Sequence, residues 1–424
     1  MKTNHTHSSY RWIMMALCVL ALLGQTFTWL VPAPLLGIII DDLGVGIGEA
    51  GALLTVITLV TGTFAFAGSF FIDKLGAKTV MVIGLGLFGL GGIASVYTET
   101  YSEIFAARFL VGLGFGICLP IVGVTVSSWF PAKEQPFMNA IVVITSYVGM
   151  VLAYTITLPI LELTGSWQKT LATIGCYVVL VALLWLVLAR KLPAPANSAT
   201  DQTSPIPLAP PQVIESGLKQ AAKRKEIWLL MLMLFGVMWT FNTFTTYLSI
   251  YFQEIRGLDT ATASAITGVL PLAGVIGGLL CGFGTGALGL RKPFTWPLFV
   301  LMFLGAIGSV IIPSGVLLYI SVGLIGFGAA GFSPIFFQVP MELDDITPAM
   351  VGGSLAIIIG CSYIASYFSP LLFGLLSPHI GMASTLLVFG CSLLISLIAG
   401  VSISETGPRK RIKTPPTAIP NTSY

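Results

Sequence analysis

The sequence predicts an all-α membrane protein with twelve transmembrane helices arranged as two parallel six-helix repeats. Three observations carry this prediction: a scarcity of charge, twelve apolar stretches of spanning length, and a repeated glycine pattern. Of 424 residues, 55% are hydrophobic and only 9% are charged, against about 25% charged residues in an average soluble domain. So few charges cannot cover a soluble surface, which excludes a soluble enzyme. The apolar stretches also lack the short-range alternation of transmembrane β-strands.

A helix that crosses a bilayer needs about 20 mainly apolar residues. Charged residues and Pro/Gly-marked breaks divide the chain into twelve such spans, which we number in chain order. No small-residue cleavage pattern follows the first stretch, so we expect an uncleaved first span and not a signal peptide. The predicted spans are 12–36, 49–72, 79–98, 102–127, 137–161, 169–190, 227–251, 260–284, 294–312, 316–341, 351–377 and 383–404.

One long polar segment between spans 6 and 7 divides the chain into domains. We expect an N-terminal six-helix bundle at 1–190, a C-terminal six-helix bundle at 227–404 and a tail at 405–424. The segment 191–226 begins rich in Pro, Ser and Ala and ends with KQAAKRKE. This composition predicts a disordered linker that closes with a basic amphipathic helix on the membrane surface.

The distribution of basic residues predicts the orientation of the chain. Nearly all Lys and Arg residues fall on the side that holds both termini and the linker, whereas Lys169 and Arg256 fall on the other side. Cytoplasmic loops carry the excess of Lys and Arg in membrane proteins. We therefore expect a multi-pass protein of the bacterial cytoplasmic (inner) membrane, with both termini and the linker in the cytoplasm.

An internal repeat supports the division into six plus six spans. GLGFGICLPI, which starts at Gly112, recurs as GFGAAGFSPI from Gly326, and LGAK at Leu75 recurs as LGLR at Leu288. Because six is an even number, both repeats start on the same side of the membrane. The repeats are therefore expected to be parallel, related by an axis along the membrane normal.

The loop after span 2 carries the most specific motif in the chain. GSFFIDKLGAK places Gly68, Asp73, Lys74, Gly76 and Lys78 in a G-x4-D-[RK]-x-G-x-[RK] pattern, which resembles the signature loop of the major facilitator superfamily. The resemblance covers nearly the whole chain apart from the linker and tails. It implies alternating access by rocking of the two halves, with this loop as a conformational latch. The glycines permit close approach and a tight turn, and the acid suits a helix N-terminus.

Arg108 is the charged residue that lies deepest inside a predicted span. The pattern of Arg108, Gly112 and Gly114 resembles an arginine motif in the fourth span of the same superfamily, and we assign Gly112 to the latch. An ionisable residue inside a membrane is a functional candidate because its burial is costly. Two roles stay open: engagement of a substrate carboxylate or of coupling, and structural pairing, for example with Glu103. The equivalent residue in the second repeat is Val322.

Three other segments narrow the resemblance. GSWQKTLATIG (165–175), ALLTVITLVTG (52–62) and SSWFPAKEQ (127–135) are most similar to the cyanate-permease and nitrate/nitrite branch of anion carriers. Nitrate and oxalate carriers use a basic residue in the C-terminal half, whereas spans 7–12 contain none in their interiors. The sequence therefore argues against nitrate and against oxalate as the substrate.

Polar and aromatic residues that share a helix face are the candidate binding residues. The superfamily forms its cavity chiefly from spans 1, 4, 5, 7, 10 and 11, so we predict there a pocket of amides, hydroxyls and rings around one arginine. In span 7 such residues recur at helical spacing, from Trp239 to Gln253, which predicts a continuous polar stripe. The same residue types also serve helix packing. The candidates are Gln25, Trp29, Arg108, Tyr147, Tyr154, Trp239, Asn242, Thr246, Gln338, Ser362 and Tyr363.

The remaining composition limits the mechanism. No Asp, Glu or His occupies the middle of a predicted span, so a proton relay through carboxylates is not expected. Uniport, exchange, and symport of a proton carried on a weakly acidic substrate stay open. We expect a carrier and not an enzyme, moving a small organic solute or monoanion; the alternative is efflux of an amphipathic or aromatic compound. The expected partners are the substrate, the bilayer and, in symport, a proton, for a monomer without cofactor, metal or nucleic acid.

Overall fold

The structure, a computed structural model, describes residues 9–131, 134–190, 218–343 and 348–407. Within these ranges, twelve helices are long and apolar enough to cross a membrane, which confirms the predicted number of spans. The spanning helices are Tyr10–Leu30, Ile47–Leu75, Ala77–Ala94, Tyr101–Trp129, Gln135–Thr155, Trp167–Leu188, Lys225–Glu254, Thr260–Leu288, Trp296–Ile311, Val316–Glu342, Pro348–Ile380, and Met382–Gly390 with Ser392–Ser402 as span 12. Most of the predicted linker and the tail beyond residue 407 lie outside the described residues.

Two spans are interrupted near one end. Span 1 ends as a regular helix at Leu30, passes through a 3-10 turn at Ala33–Leu35 and resumes as Leu36–Leu43. Pro32 and Pro34 lie at this break, and proline lacks the N–H that an unbroken helix would need. Span 5 similarly breaks at Ile156 and continues as Thr157–Thr164. Both breaks lie at the end of the bundle away from residues 190 and 218. We call that end the far end and the opposite end the linker end.

Side-chain caps explain where several spans begin. At the start of span 4, the hydroxyl of Thr100 accepts a hydrogen bond from the main-chain N–H of Glu103, while the Glu103 carboxylate accepts one from Thr100. Ser166 caps span 6 and Asp259 caps span 8 in the same way. These side chains satisfy N–H groups that have no partner inside the helix, which matters most where water is scarce.

The repeated glycines make equivalent contacts in the two halves. A Cβ atom on Gly112 of span 4 would lie 2.9 Å from Cβ of Val60 in span 2, and one on Gly326 of span 10 would lie 1.7 Å from the carbonyl oxygen of Leu270 in span 8. Two residues further along, Gly114 meets span 3 and Gly328 meets span 9. The sequence repeat is therefore also a repeat of helix packing, as small residues allow in membranes. Spans 1–6 form the N-terminal half and spans 7–12 the C-terminal half.

The two halves meet most closely at the far end, where span 2 crosses span 11. A Cβ atom on Gly374 would lie 2.3 Å from Cα of Gly48, so the two backbones touch. Beside this crossing, Tyr247 of span 7 shares its hydroxyl donor between the carbonyl oxygens of Ile47 (3.2 Å) and Pro370 (3.0 Å). The ring of Tyr247 stacks on Phe373 with centroids 4.0 Å apart. The far end is thus closed by backbone contact and by one tyrosine.

A second tyrosine joins the halves from the opposite direction. Tyr154 of span 5 donates its hydroxyl hydrogen to the carbonyl oxygen of Thr245 in span 7, and its Cβ would lie 3.1 Å from a Cβ on Gly268 in span 8. Thr55 of span 2 donates to the carbonyl oxygen of Tyr367 in span 11 at 3.5 Å. Each half therefore presents hydroxyl groups to the main chain of the other.

The glycine crossing gives a test of this closure. We expect Gly374→Ala to separate spans 2 and 11 at the far end, because the added methyl has no room against Gly48. Spin labels at Asp41→Cys and His379→Cys, both exposed at the far end, would report a longer distance by double electron–electron resonance in a background without native cysteines. Gly360→Ala is the matched control, since nothing lies within 4 Å of its Cβ position. An unchanged distance distribution in Gly374→Ala would contradict the described closure.

Candidate functional site

A small cavity lies between the halves, on the linker side of the closed far end. Its volume is about 70 Å³. Spans 1, 2 and 4 contribute one wall and spans 7 and 11 the other. The lining residues are Trp29, Ile57, Thr58, Thr61, Phe115, Met238, Asn242 and Tyr363. Three of the predicted binding residues, Trp29, Asn242 and Tyr363, are therefore brought together here from both halves.

The N-terminal wall holds polar groups that the protein leaves unpaired. Among the described residues, six buried side-chain polar atoms have no hydrogen-bond partner, and four of them belong to Gln25, Thr58 and Thr61. Thr58 and Thr61 line the cavity directly. Gln25 is 0% exposed and precedes Trp29 by one helical turn, on the same face of span 1. An unpaired buried polar group costs about 1–3 kcal/mol, so the hydroxyl groups of Thr58 and Thr61 are suited to bond to a ligand in the cavity.

Arg108 is buried behind this wall and holds three main-chain carbonyl groups. Its Nε donates to the carbonyl oxygen of Leu53 at 3.0 Å, and its two terminal nitrogens donate to those of Thr28 and Trp29, each at 2.7 Å. Thr28 and Trp29 belong to the last turn of span 1 before the break. Because Pro32 cannot donate a hydrogen bond to Thr28, the arginine satisfies a carbonyl group that the break would leave without a helical partner.

Arg108 makes no ion pair with Glu103. The Glu103 carboxylate instead accepts hydrogen bonds from the main-chain N–H groups of Glu99 (2.8 Å) and Thr100 (3.0 Å). The positive charge of Arg108 is thus compensated by carbonyl dipoles at the negative end of a helix and not by an acid. The sequence left open a structural pairing of Arg108, for example with Glu103. In the structure, main-chain carbonyl groups pair with Arg108 instead, and no sequence motif indicates such groups.

The aromatic candidates divide between the cavity and the closed far end. Trp29 lines the cavity and donates its Nε1–H to the carbonyl oxygen of Leu54 at 3.2 Å. Tyr147 packs edge to face on Phe241, with centroids 6.5 Å apart. Tyr154 belongs to the far-end closure described above. The structure therefore places Trp29 at the cavity and Tyr154 in the contact between halves.

The polar stripe predicted for span 7 is not continuous along the cavity. Asn242 lines the cavity, but Gln253 bonds to Ser249 of its own helix and to the hydroxyl of Thr260 at the start of span 8. Trp239 packs between Phe235 and Phe389, with tilted rings whose centroids are each 5.4 Å away. The end of the stripe therefore stabilises the helix pair at the far end, and Trp239 packs inside the C-terminal half.

Three further candidates lie away from the cavity lining. The hydroxyl of Ser362 donates to the carbonyl oxygen of Ile358 at 2.7 Å and lies 3.3 Å from that of Met231, which ties span 11 to span 7. Thr246 is buried in span 7. Gln338 of span 10 has a buried Oε1 without a partner among the described residues. Of the eleven predicted binding residues, Trp29, Asn242 and Tyr363 line the described cavity and the other eight do not.

Sequence reasoning missed the contribution of span 2. Thr58, Thr61 and Ile57 line the cavity, but the prediction considered only the six spans that the family resemblance suggests. A signal was present, because Thr55, Thr58 and Thr61 recur at intervals of three residues in an otherwise apolar helix. Phe115 and Met238 carried no such signal, since apolar residues are the usual content of a span.

The predicted latch is described in part. The side chains of Gly68, Asp73 and Lys74 lie outside the described residues. Gly76 adopts a φ of 79° between spans 2 and 3, a backbone angle that favours glycine, and Lys78 is half-buried at the start of span 3. Gly112 packs against span 2, as shown above. The structure thus brings Gly76 to the tight turn that the motif predicts.

The equivalent loop of the second half forms an ion-paired network at the linker end. Arg291 binds Glu342 at the end of span 10 through Nε, at 3.1 and 3.0 Å from the two carboxylate oxygens. The Glu405 carboxylate, just after span 12, accepts hydrogen bonds from the main-chain N–H groups of Arg291 (2.7 Å) and Lys292 (2.9 Å). At the position equivalent to Asp73, this loop has Gly286 in place of the acid. In this half the acids come from span 10 and from the segment after span 12.

Comparison with known proteins decides the family. Residues 15–345 match the model of the Major Facilitator Superfamily. The chain belongs to this superfamily. As a member of the superfamily it is a transporter of small molecules with twelve membrane-spanning helices, and not an enzyme. Among the described residues, no group of three His, Cys, Asp or Glu side chains could hold a metal ion.

Relatives in the superfamily include named organic-anion carriers. The probable sulfoacetate transporter of Cupriavidus necator is 22% identical over 88% of this chain and 88% of its own length. The probable L-galactonate transporter of Escherichia coli is 22% identical over 87% and 84%, and the 4-hydroxybenzoate transporter of Pseudomonas aeruginosa is 26% identical over 49% and 47%. The resemblance to the cyanate and nitrate branch stays a prediction.

Solved structures of the superfamily share the fold. A bacterial homologue of the human lysosomal transporter Spinster, inward-facing and unoccupied, matches with a TM-score of 0.73 and 13% identity over 93% of this chain and 96% of that one. The xylose transporter XylE of Escherichia coli, partially occluded and inward-open, matches with a TM-score of 0.70 and 16% identity over 94% and 99%. These matches confirm the predicted major facilitator fold.

The unpaired hydroxyl of Thr58 gives a stability test. We expect Thr58→Val to stabilise the ligand-free protein by about 1 kcal/mol, because valine has a similar shape and removes an unsatisfied buried polar group. The measurement is the thermal midpoint of the purified protein in detergent. Thr267→Val is the matched control: Thr267 is equally buried but donates to the carbonyl oxygen of Ala263 at 2.8 Å, so its loss should not stabilise. If both variants were equally destabilised, the Thr58 hydroxyl would be paired in solution.

The linker-end network gives a pH-dependent test. Partial burial opposes ionisation of Glu405, but hydrogen bonds from the main chain of Arg291, Gly407 and Lys292 outweigh it and lower the pKa below the ordinary 4.5. A lowered pKa contributes stability that is present above 4.5 and is lost as the pH falls through the lowered value. Glu405→Gln should therefore lower the thermal midpoint at pH 7, and the difference from wild type should vanish in acid.

The expected effect of Glu405→Gln is about 1 kcal/mol, because Glu405 is partly exposed and solvent screens its charge. Glu162→Gln, which removes an exposed carboxylate at the far end, is the control and should leave the midpoint unchanged at both pH values. A Glu405→Gln effect that is the same at pH 7 and in acid would show that the carboxylate charge does not hold this network together.

Proposed function

We propose that the protein carries a small organic anion across the bacterial cytoplasmic membrane by alternating access. One observation supports this most: two unpaired threonine hydroxyl groups and the Asn242 side chain line the cavity between the halves, and an arginine whose charge no acid compensates is buried behind its N-terminal wall. The hydrogen atoms of Thr58, Thr61 and Gln25 are suitable donors to carboxylate oxygens. The names of the relatives, which include sulfoacetate and galactonate transporters, agree with this substrate class.

The proposed orientation places the linker end and both termini in the cytoplasm, because the basic residues concentrate there. The described state, closed at the far end, is then closed to the outside. We propose that the bundles at 1–190 and 227–404 rock as units about the cavity, with the loop from Gly68 to Lys78 as a latch on the cytoplasmic side. The protein is proposed to act as a monomer within the bilayer.

We propose roles for the predicted binding residues that follow their positions. Trp29, Asn242 and Tyr363 contact the substrate, and Gln25 reaches it from one turn below Trp29. Tyr147 and Tyr154 take part in closure between the halves, where Gly274 and Gly268 leave room for their rings. Four residues support the helices that form the site and are not proposed to bind the substrate, namely Trp239, Thr246, Gln338 and Ser362.

Binding and uptake measurements test this proposal. The purified protein is screened for thermal stabilisation by sulfoacetate, galactonate, 4-hydroxybenzoate, benzoate and acetate. A ligand at 100 times its Kd stabilises by about 2.7 kcal/mol. We expect at least one anion to stabilise the protein and to be taken up by proteoliposomes. Uptake with and without an imposed pH gradient then separates uniport and exchange from symport of a proton carried on the substrate.

A second function has one observation in its favour. The rings of Trp29, Phe115 and Tyr363 surround the cavity, which suits efflux of an aromatic compound. Stabilisation by neutral aromatic compounds, with none by any anion in the panel, would contradict the anion proposal and favour efflux. Stabilisation by anions alone would exclude the efflux alternative.

A further inference from the structure

We infer that Arg108 selects anions without touching them, while uncharged side chains make the contacts with the substrate. This inference rests on the proposed function and specifies how the site tells an anion from a neutral molecule of the same shape. It divides recognition into two parts. Thr58, Thr61 and Gln25 supply directional hydrogen bonds, and Arg108 supplies the sign of the electrostatic potential.

The geometry keeps the guanidinium away from the substrate. Arg108 is 2% exposed and is not among the residues that line the cavity. Three of its five N–H groups are engaged by the carbonyl oxygens of Leu53, Thr28 and Trp29. To bond directly to a substrate, the guanidinium would have to break hydrogen bonds to the carbonyl groups at the break in span 1. Few other donors are available there to replace it.

The same geometry keeps the charge close to the cavity. Arg108 bonds to the main chain of Trp29, whose ring lines the cavity, and to Leu53, one helical turn from the lining residue Ile57. Carbonyl dipoles stabilise the guanidinium but do not cancel its net charge. Within about 10 Å and at an effective dielectric constant near 20, one unit charge changes the affinity for an anion by roughly tenfold.

The contacts themselves are uncharged. Thr58 and Thr61 face the cavity without partners, and the Gln25 amide is unpaired one turn below Trp29. These groups can donate to a carboxylate oxygen or to the carbonyl oxygen of an amide, and the bond to the charged oxygen is the stronger one. They define shape and orientation, whereas the charge of Arg108 acts on the anion over a longer range.

The chain provides a matched control for the structural role of Arg108. Arg256, at the far end of span 7, is also clamped on main-chain carbonyl oxygens: Ser309 at 3.1 Å, and Ile312 and Val310 at 2.5 Å each. It caps the end of span 9 as Arg108 caps the end of span 1. Unlike Arg108, Arg256 bonds to no residue that lines the cavity, so its removal should cost stability without changing ligand selectivity.

The experiment compares isosteric pairs that differ in charge. The affinities of the full-length protein for acetate and acetamide, and for benzoate and benzamide, are measured in detergent by calorimetry at pH 7. For a pair whose anion binds to wild type, we expect Arg108→Gln to reduce the preference for anion over amide by about tenfold or more. Arg108→Lys should retain most of the preference, and Arg256→Gln should retain all of it. Thr58→Val should weaken both members of the pair and change their ratio less than Arg108→Gln does.

The outcomes separate this inference from the function on which it rests. If wild type binds no anion in preference to its amide, the proposed anion carrier is wrong. If wild type prefers the anion and Arg108→Gln keeps that preference, only the inference is overturned. If a folded Arg108→Gln protein no longer bound the amide at all, Arg108 would contact the ligand directly, and the inference would also be overturned. Should Arg108→Gln fail to fold, Arg108→Lys carries the test, because loss of the preference in that charge-conserving variant contradicts a long-range effect.

Discussion

The hydrogen bonds from Arg108 to three main-chain carbonyl groups are the interaction on which the N-terminal half depends. In a bilayer, every main-chain polar group must find a partner within the protein. The prolines that break span 1 create carbonyl groups without helical partners, and a guanidinium is the side chain with enough donors to hold several of them. By reaching Leu53 as well, the arginine fixes spans 1, 2 and 4 in one arrangement. The position of the cavity wall therefore depends on the break in span 1 and on the hydrogen bonds from Arg108 that satisfy the carbonyl groups at that break.

The contact between the halves follows a different rule. Where span 2 crosses span 11, Gly48 and Gly374 bring the two backbones together, and Tyr247 reaches across to the carbonyl oxygens of Ile47 and Pro370. Glycine contacts have little surface area to separate, and each tyrosine makes few bonds. The contact between the halves is therefore closely fitted and made by neutral groups.

Much of the fold could be predicted from the sequence, because the physics of a membrane span is local. Twenty apolar residues, a break and a basic loop are visible in the chain itself, and the repeat of Gly112 at Gly326 indicates the parallel halves. The site was harder to predict. Trp29, Asn242 and Tyr363 were found because polar or aromatic residues are conspicuous in an apolar helix. The partners of Arg108 were not, because carbonyl groups occur at every residue. Trp239 and Ser362 are equally conspicuous in the sequence, but in the structure they contact neighbouring helices and do not line the cavity.

The described contacts at the two ends of the bundle differ in kind. At the far end, neutral hydroxyls, rings and glycines join the two halves, whereas at the linker end the Arg291–Glu342 ion pair and the Glu405 carboxylate hold the loop between spans 8 and 9 to the rest of its own half. Salt screens exposed charges over about 10 Å at 0.1 M but hardly affects neutral packing. The hydrogen bonds, ring contacts and glycine crossing that join the halves at the far end are therefore expected to depend little on ionic strength.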